Sequence, residues 1–521
     1  MLCCHQSYDS VWRRLVRWLV PLALILTAFA ALALRYYPRP VNWPAALGSD
    51  SIVYLYMAQA DWSDAALWHG LKPPLVPFLY HALDVHPDRT WIVPVFQTFF
   101  SAIAWLTLGL TLASTLRSWL LRIILIWFCA ALFCFPPVFS WNKYVLSESI
   151  TLSWMILFMA AFIAFWRNCA MLEAICLVVT AFGFGLSKDT GALMAAAMIP
   201  CAIWNVFQAK NRHLAGYPRF SLRFTAGLSV CLLAVLLLSH WSSNRTVVTD
   251  KQSYRKYPEI SAFLDLCSGT DLVGRWYLPF LNILGQRILP DQKARDYFVS
   301  RGFPLSPAVM ARSGTYAGAD NFAWYRDAAI IAQVKPWIIA RGRSVYLSYL
   351  AQHWQTALTD VYAARDMLLK PVDPGLSPYC WFSRPDGGKT DEKRFHPSTV
   401  WMQYFCLNDG ADLARFFIMA ALIGLAAVKR PEIRGQGGLL LVSSYMVVIG
   451  LAIMFAVYYG DIQDRERHSL SHVVFMTVGA GWGYFLIVDV ILRLIRTRRI
   501  ASLPFKKRPI LGGARFRATV S

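Results

Sequence analysis

Long apolar runs recur along this chain, and they constrain its fold more than any other feature. A helix that crosses a bilayer needs roughly 20 mostly apolar residues, because lipid offers its backbone no hydrogen-bond partners. Runs of that kind cover residues 18–34, 91–115, 123–139, 149–166, 190–207, 224–241, 438–459 and 470–488. Two more are less pure: 168–187 contains Glu173, and 413–428 is short and contains Arg415. Composition agrees, with 57% hydrophobic and only 16% charged residues and a mean hydropathy of +0.42. A water-soluble domain carries about 25% charged residues. The expected fold is an all-α polytopic membrane bundle of about ten transmembrane helices, and a soluble cytoplasmic enzyme is excluded.

The loops orient these helices. With the N-terminus in the cytoplasm, twenty-two Lys and Arg fall on the inner loops and termini. The short outer hairpins hold only Lys143, Lys188, Arg465 and Arg467. This is the positive-inside pattern, and it requires both of the less pure runs to be counted. It also accounts for the net charge of +21 without nucleic acid as a partner. Both termini are therefore expected in the cytoplasm. The first run, preceded by Arg13, Arg14 and Arg17, also has the outline of a secretory signal, but it is long for one.

Four regions follow. Residues 1–241 form an N-terminal membrane module whose first outer loop is 35–90. Residues 242–412 form a large outer segment, 413–495 the C-terminal membrane helices and 496–521 a basic cytoplasmic tail. In the first outer loop, the aromatic-rich, amphipathic stretch 51–68 predicts a helix lying on the membrane surface. The segment 242–412 has enough polar residues, Gly and Pro for a mainly helical domain outside the membrane. Of the 11 Cys, Cys129, Cys134, Cys169, Cys176, Cys201 and Cys231 lie in apolar runs, where free Cys behaves as a small hydrophobe. Cys3 and Cys4 precede the first run. Cys267, Cys380 and Cys406 fall in the outer segment; Cys380 and Cys406 are a candidate disulfide, though spacing alone does not establish it.

Ionisable residues gather on the outer face under this topology: Asp50, Lys72, Lys143, Glu148, Lys188, Asp189, Asp461, Asp464, Arg465, Arg467 and His468, with Asn142 among them. Such groups at the edge of hydrocarbon are costly and mark function by default. Each also has a structural reading. Asp50 can cap the helix that starts at Ser51. Lys72, held by Pro73 and Pro74, can snorkel to the interface or bind a phosphate. Glu148 suits the first turn of its span. Lys188 and Asp189 can form an exposed ion pair, worth about 0–1 kcal/mol. The hairpin 460–468 can be a solvated turn, or its Arg465, Arg467 and His468 can clamp a phosphate. The sequence contains no P-loop, nucleophile elbow, His-Glu-x-x-His helix or Cys-x-x-Cys pair.

Asp50 in the first outer loop, Lys72-Pro73-Pro74-Leu75 after it, Leu146-Ser147-Glu148-Ser149, Gly185-Leu186-Ser187-Lys188 and the Arg465/Arg467/His468 hairpin together resemble the GT-C superfamily of polytopic glycosyltransferases. The likeness is to the group containing the lipid A aminoarabinose transferase and the protein O-mannosyltransferases. It covers about the first two hundred residues and the last outer hairpin. The resemblance implies an inverting transferase of the non-cytoplasmic face, using a polyprenyl-phosphate-linked sugar as donor and a glycan, lipid or protein as acceptor. A bacterial inner membrane suits such a donor. Asp50 would take the family's acidic catalytic position, as the base that an inverting transfer needs, with Glu148 orienting the acceptor or Lys143. Lys72, Lys188, Arg465, Arg467 and His468 would bind the donor phosphate. Family members often carry an Asp-Glu or Asp-x-Asp pair where this chain has Asp50-Ser51, so a metal-free site is expected over one with a divalent cation. Two rivals remain open: a flippase of lipid-linked saccharide, which predicts charges near mid-bilayer, and a polysaccharide polymerase or ligase, which shares the donor.

Overall fold

In a computed structural model, the described residues are 45, 47, 50–86, 89–204, 222–244, 275–315, 327–369, 410–430, 433–460 and 465–501. They form helices and turns, with no strand among them. Five helices are long and apolar enough to cross a membrane. These are α4 (Ile92–Thr115), α6 (Glu148–Asn168), most of α9 (Leu222–Ser243), α16 (Arg434–Gly460) and most of α17 (Arg465–Ala501). The protein is a helical membrane protein. Run 18–34, most of the tail 496–521 and Cys267, Cys380 and Cys406 lie outside the described residues.

Where an apolar run departs from a single long helix, the local chemistry shows why. Run 123–139 begins earlier, as α5 (Trp119–Phe133), and is then broken by a 60° bend before residues 137–143. Pro136 and Pro137 fall at the break; they lack N–H donors and obstruct the preceding turn. Helix α6 ends at Cys169, which takes a left-handed backbone (φ 46°) and turns the chain into α7 (Met171–Ser187). Run 190–207 opens as α8 (Asp189–Ala197) and is interrupted at Met198, two residues before Pro200. Run 413–428 lies within α15 (Gly410–Lys429), which is not among the five.

The main core joins α4–α8 to α16 and α17. Close approach of the last two depends on small residues, as expected where lipid supplies no hydrophobic drive between helices. A Cβ on Gly450 would collide with Met476, and one on Gly483 would collide with Ser443. Phe99, Leu172 and Leu425 are exposed on the outside of the bundle, which suits lipid contact.

The first-loop segment differs from the expected surface helix. It breaks into α1 (Ser51–Met57) and α2 (Ala65–His69), and is followed by α3 (Leu75–Ala82). The Asp61–Asp64 turn interrupts it, and Tyr54, Leu55 and Ala58 pack into the main core. A second core gathers α10 (Tyr277–Ile283), α11 (Gln292–Val299), α12 (Ala328–Trp337), α13 (Arg343–Gln352) and α14 (Trp354–Ala363), and packs on Met454 and Tyr459 near the end of α16.

Candidate functional site

Helix ends assemble the site. The starts of α6 and α8, the ends of α7, α9 and α16, and the start of α17 share one end of the bundle, where the first-loop turn and the second core meet them.

Asp50 does not act as a helix cap. Its backbone is already helical (φ −77°, ψ −17°), and its side chain makes no capping bond. A capping residue uses extended backbone to aim its side chain at the first free N–H groups. The Asp50 carboxylate instead pairs with the Lys72 Nζ at 2.9 Å. Lys72 sits in the turn before Pro73 and Pro74, with its ammonium 5.8 Å from the centre of the Tyr54 ring.

Lys188 and Asp189 are adjacent, but they are paired elsewhere. Lys188 is the extended residue between α7 and α8 and reaches Glu148 Oε1 at 3.8 Å. Asp189 pairs with Arg275 at 2.8 Å. The structural alternative of an exposed neighbour pair is therefore replaced by two contacts that cross between elements. Glu148 is almost fully buried. Its approach is fixed from behind: Tyr80 donates to the Leu146 carbonyl at 3.0 Å, and Gln97 donates to the Tyr80 hydroxyl at 2.7 Å. Burial raises the Tyr80 phenol well above its ordinary pKa, so it remains a donor. Asn142, also buried, accepts from Ser149.

Arg275 is the hub that sequence reading missed. Besides Asp189, its guanidinium donates to the carbonyls of Gly70 (3.3 Å), Lys72 (3.5 Å) and Ser242 (3.1 Å). One side chain thus ties the Lys72 turn to the start of α8 and the end of α9. The planar five-donor fork suits such multiple contacts; a lysine could not satisfy them. The only signal in the sequence is Arg275-Trp276-Tyr277 opening an apolar stretch.

These groups border a cavity of about 530 Å³. Lys72, Glu148, Lys188, Asp189, Arg275, Arg343, Tyr346, Tyr459 and His468 are among the residues that line it. Arg343 was also missed. It lies over the Trp276 ring (4.9 Å), and desolvation lowers its pKa from the ordinary guanidinium value. Of the expected site residues, Lys72, Glu148, Lys188 and His468 share this cavity, and Asp50 joins through Lys72. Arg465 and Arg467 open α17, but their side chains, with Asp461 and Asp464, lie outside the described residues. Lys143 is exposed and does not line the cavity.

Four cations against two acids give the lining a net positive charge, apart from His468. Such a lining suits an anion, and Arg and Lys donors make charge-assisted bonds to phosphate oxygens. Among the described residues, no three His, Cys, Asp or Glu side chains group in a way that could hold a metal ion. No family model matches this chain, and no curated protein is significantly similar to it in sequence.

Proposed function

We propose that this protein is an integral-membrane glycosyltransferase. It moves a sugar from a polyprenyl-phosphate donor to a cell-envelope acceptor on the non-cytoplasmic face, with inversion. The supporting observation is the convergence of Lys72, Lys188, Arg275 and Arg343 with Glu148 on one cavity, beside Asp50.

In the reaction, the acceptor hydroxyl oxygen attacks the anomeric carbon. The bond from that carbon to the phosphate oxygen breaks, and its electron pair leaves on the phosphate. The hydroxyl proton passes to a carboxylate, which is the role of Asp50. Negative charge grows on the departing phosphate, where preorganised cations stabilise it most. Lys72, Lys188, Arg465, Arg467 and His468 take that role with Arg275 and Arg343. Glu148 orients the acceptor through its place beside Lys188. Cations in this number can do the work of a divalent ion, so the reading is metal-free.

The topology that goes with this function has ten spans. It adds run 18–34, the bent α5 segment, α7, α8 and α15 to the five long helices. Both termini then lie in the cytoplasm of a bacterial inner membrane, with 242–412 outside. The cavity charges sit at helix ends, which favours a transferase over a flippase with charges near mid-bilayer.

Asp50→Asn tests the assignment because it keeps the side chain's shape and removes its basicity. Single-turnover transfer from a purified lipid-linked sugar should fall by roughly two to four orders of magnitude, the usual contribution of a positioned base. Affinity for sugar-free polyprenyl phosphate should hold or rise, since Lys72 loses a competing anion. Near-normal turnover in this variant removes Asp50 from the chemistry.

A further inference from the structure

Tyr346 and Tyr459 line the charged cavity and also a second, smaller one of about 260 Å³. The Tyr346 hydroxyl donates to the Tyr459 carbonyl at 2.8 Å, so the two residues form a shared wall.

The second cavity has a different chemistry. Its charged groups are already engaged with the protein. The Arg287 guanidinium lies 3.9 Å from the centre of the Tyr458 ring and 4.6 Å from that of Tyr459, and donates to the Tyr458 carbonyl at 2.8 Å. Asp291 accepts from the Lys293 and Ala294 N–H groups at 2.8 and 3.1 Å, capping α11. Asp360 accepts from the Tyr459 hydroxyl at 3.0 Å. Two carboxylates beside one arginine make the lining unfavourable for a phosphate.

What remains for a ligand is aromatic surface and hydrogen-bonding capacity. The Tyr349 and His353 rings stack on each other, with centroids 4.4 Å apart at 33°, and both residues line the cavity. Burial, with Asp291 and Asp360 nearby, raises the Tyr349 phenol above its ordinary pKa, so it keeps its proton and can donate. Each carboxylate retains acceptor capacity beyond the bonds above. Flat aromatic faces match the C–H face of a sugar ring, and carboxylate oxygens accept from its hydroxyls. A pocket with apolar walls and a few convergent polar groups is the general form of a small-molecule site.

We propose that this second cavity binds a neutral saccharide unit, against the stacked Tyr349 and His353 rings with Asp291 and Asp360 as hydroxyl acceptors. Its identity as the acceptor's sugar subsite, one tyrosine wall from the donor phosphate, rests on the transferase reading. Saccharide binding itself does not.

The test uses the full-length protein in lipid nanodiscs, with a panel of neutral methyl hexosides and pentosides as probes. Saturation-transfer NMR reports contact, and affinity for polyprenyl phosphate is measured in parallel. Wild type should bind at least one glycoside. Exposed His353→Ala and half-buried Tyr349→Ala should each weaken that binding by about ten-fold, while polyprenyl phosphate affinity changes by less than about two-fold. His353→Ala guards against misfolding in the tyrosine variant. Absence of contact with every glycoside overturns the proposal. So does binding that both variants leave intact, or a loss in His353→Ala that carries polyprenyl phosphate affinity with it. Glycoside binding without any polyprenyl phosphate binding leaves this proposal standing and defeats the donor assignment instead.

Discussion

Asp489 and Glu148 are both 3% exposed, and they sit near opposite ends of the bundle in very different company. Asp489 accepts from the backbone N–H groups of Arg117 (3.3 Å) and Ser118 (3.0 Å), the turn between α4 and α5. It also pairs with Arg493 at 3.5 Å, and Arg493 in turn donates to Gln436 at 3.1 Å. Nearby, Trp482 donates to Thr115 at 3.0 Å. Every contact there ends on a protein partner, and apart from the Asp489–Arg493 pair within α17 each joins α17 to another element. Glu148 and its neighbours instead border open volume, and their ion pairs face a cavity that can admit a ligand. Burial alone does not separate structural from functional charge. The destination of the hydrogen bonds does.

The contrast can be broken by exchanging the roles. The largest stability effect is expected at the closed end, where Asp489→Ala removes the acceptor of two backbone N–H groups and the carboxylate that pairs with Arg493. Thermal unfolding in detergent should register a loss of about 3 kcal/mol, the usual result of breaking a buried pair. Polyprenyl phosphate affinity should be unchanged; a large drop would mean that the two ends are coupled. At the open end, Lys72→Ala should leave stability nearly unchanged and weaken polyprenyl phosphate binding about ten-fold, the loss of one charge-assisted contact. Unchanged affinity would remove Lys72 from the proposed phosphate site. The smallest effect belongs to Thr115→Val, which removes the Trp482 hydrogen bond. It should cost about 1 kcal/mol in the same unfolding measurement and leave donor binding alone.

The sequence made the long helices legible because a run of apolar residues needs no tertiary partner to be recognised. It also brought Lys72, Glu148, Lys188 and His468 forward, since charge at the edge of hydrocarbon is unusual on its face. Its structural alternatives were set aside where local rules compete with longer contacts. Asp50 before Ser51 reads as a cap, but the capping conformation is surrendered to an ion pair with a residue in another turn. Lys188 and Asp189 read as partners because they are adjacent, whereas their extended-to-helix junction sends them to different elements. Arg275 and Arg343 were invisible for a plainer reason. Arginines in a long polar segment are ordinary, and only packing of that segment on the helix ends gives these two a task.

Arg275 also orders the making of the protein in time. A ribosome emits the Lys72 turn about two hundred residues before the arginine that grips it. During that interval several spans can enter the bilayer while the turn that carries Lys72 has no clamp. A chain stopped before residue 275 would insert those spans and yet leave the Gly70 and Lys72 carbonyls, Ser242 and Asp189 without their common donor. Translation of the middle of the chain is thus the step that closes its beginning, and an amino-terminal fragment cannot rehearse the site.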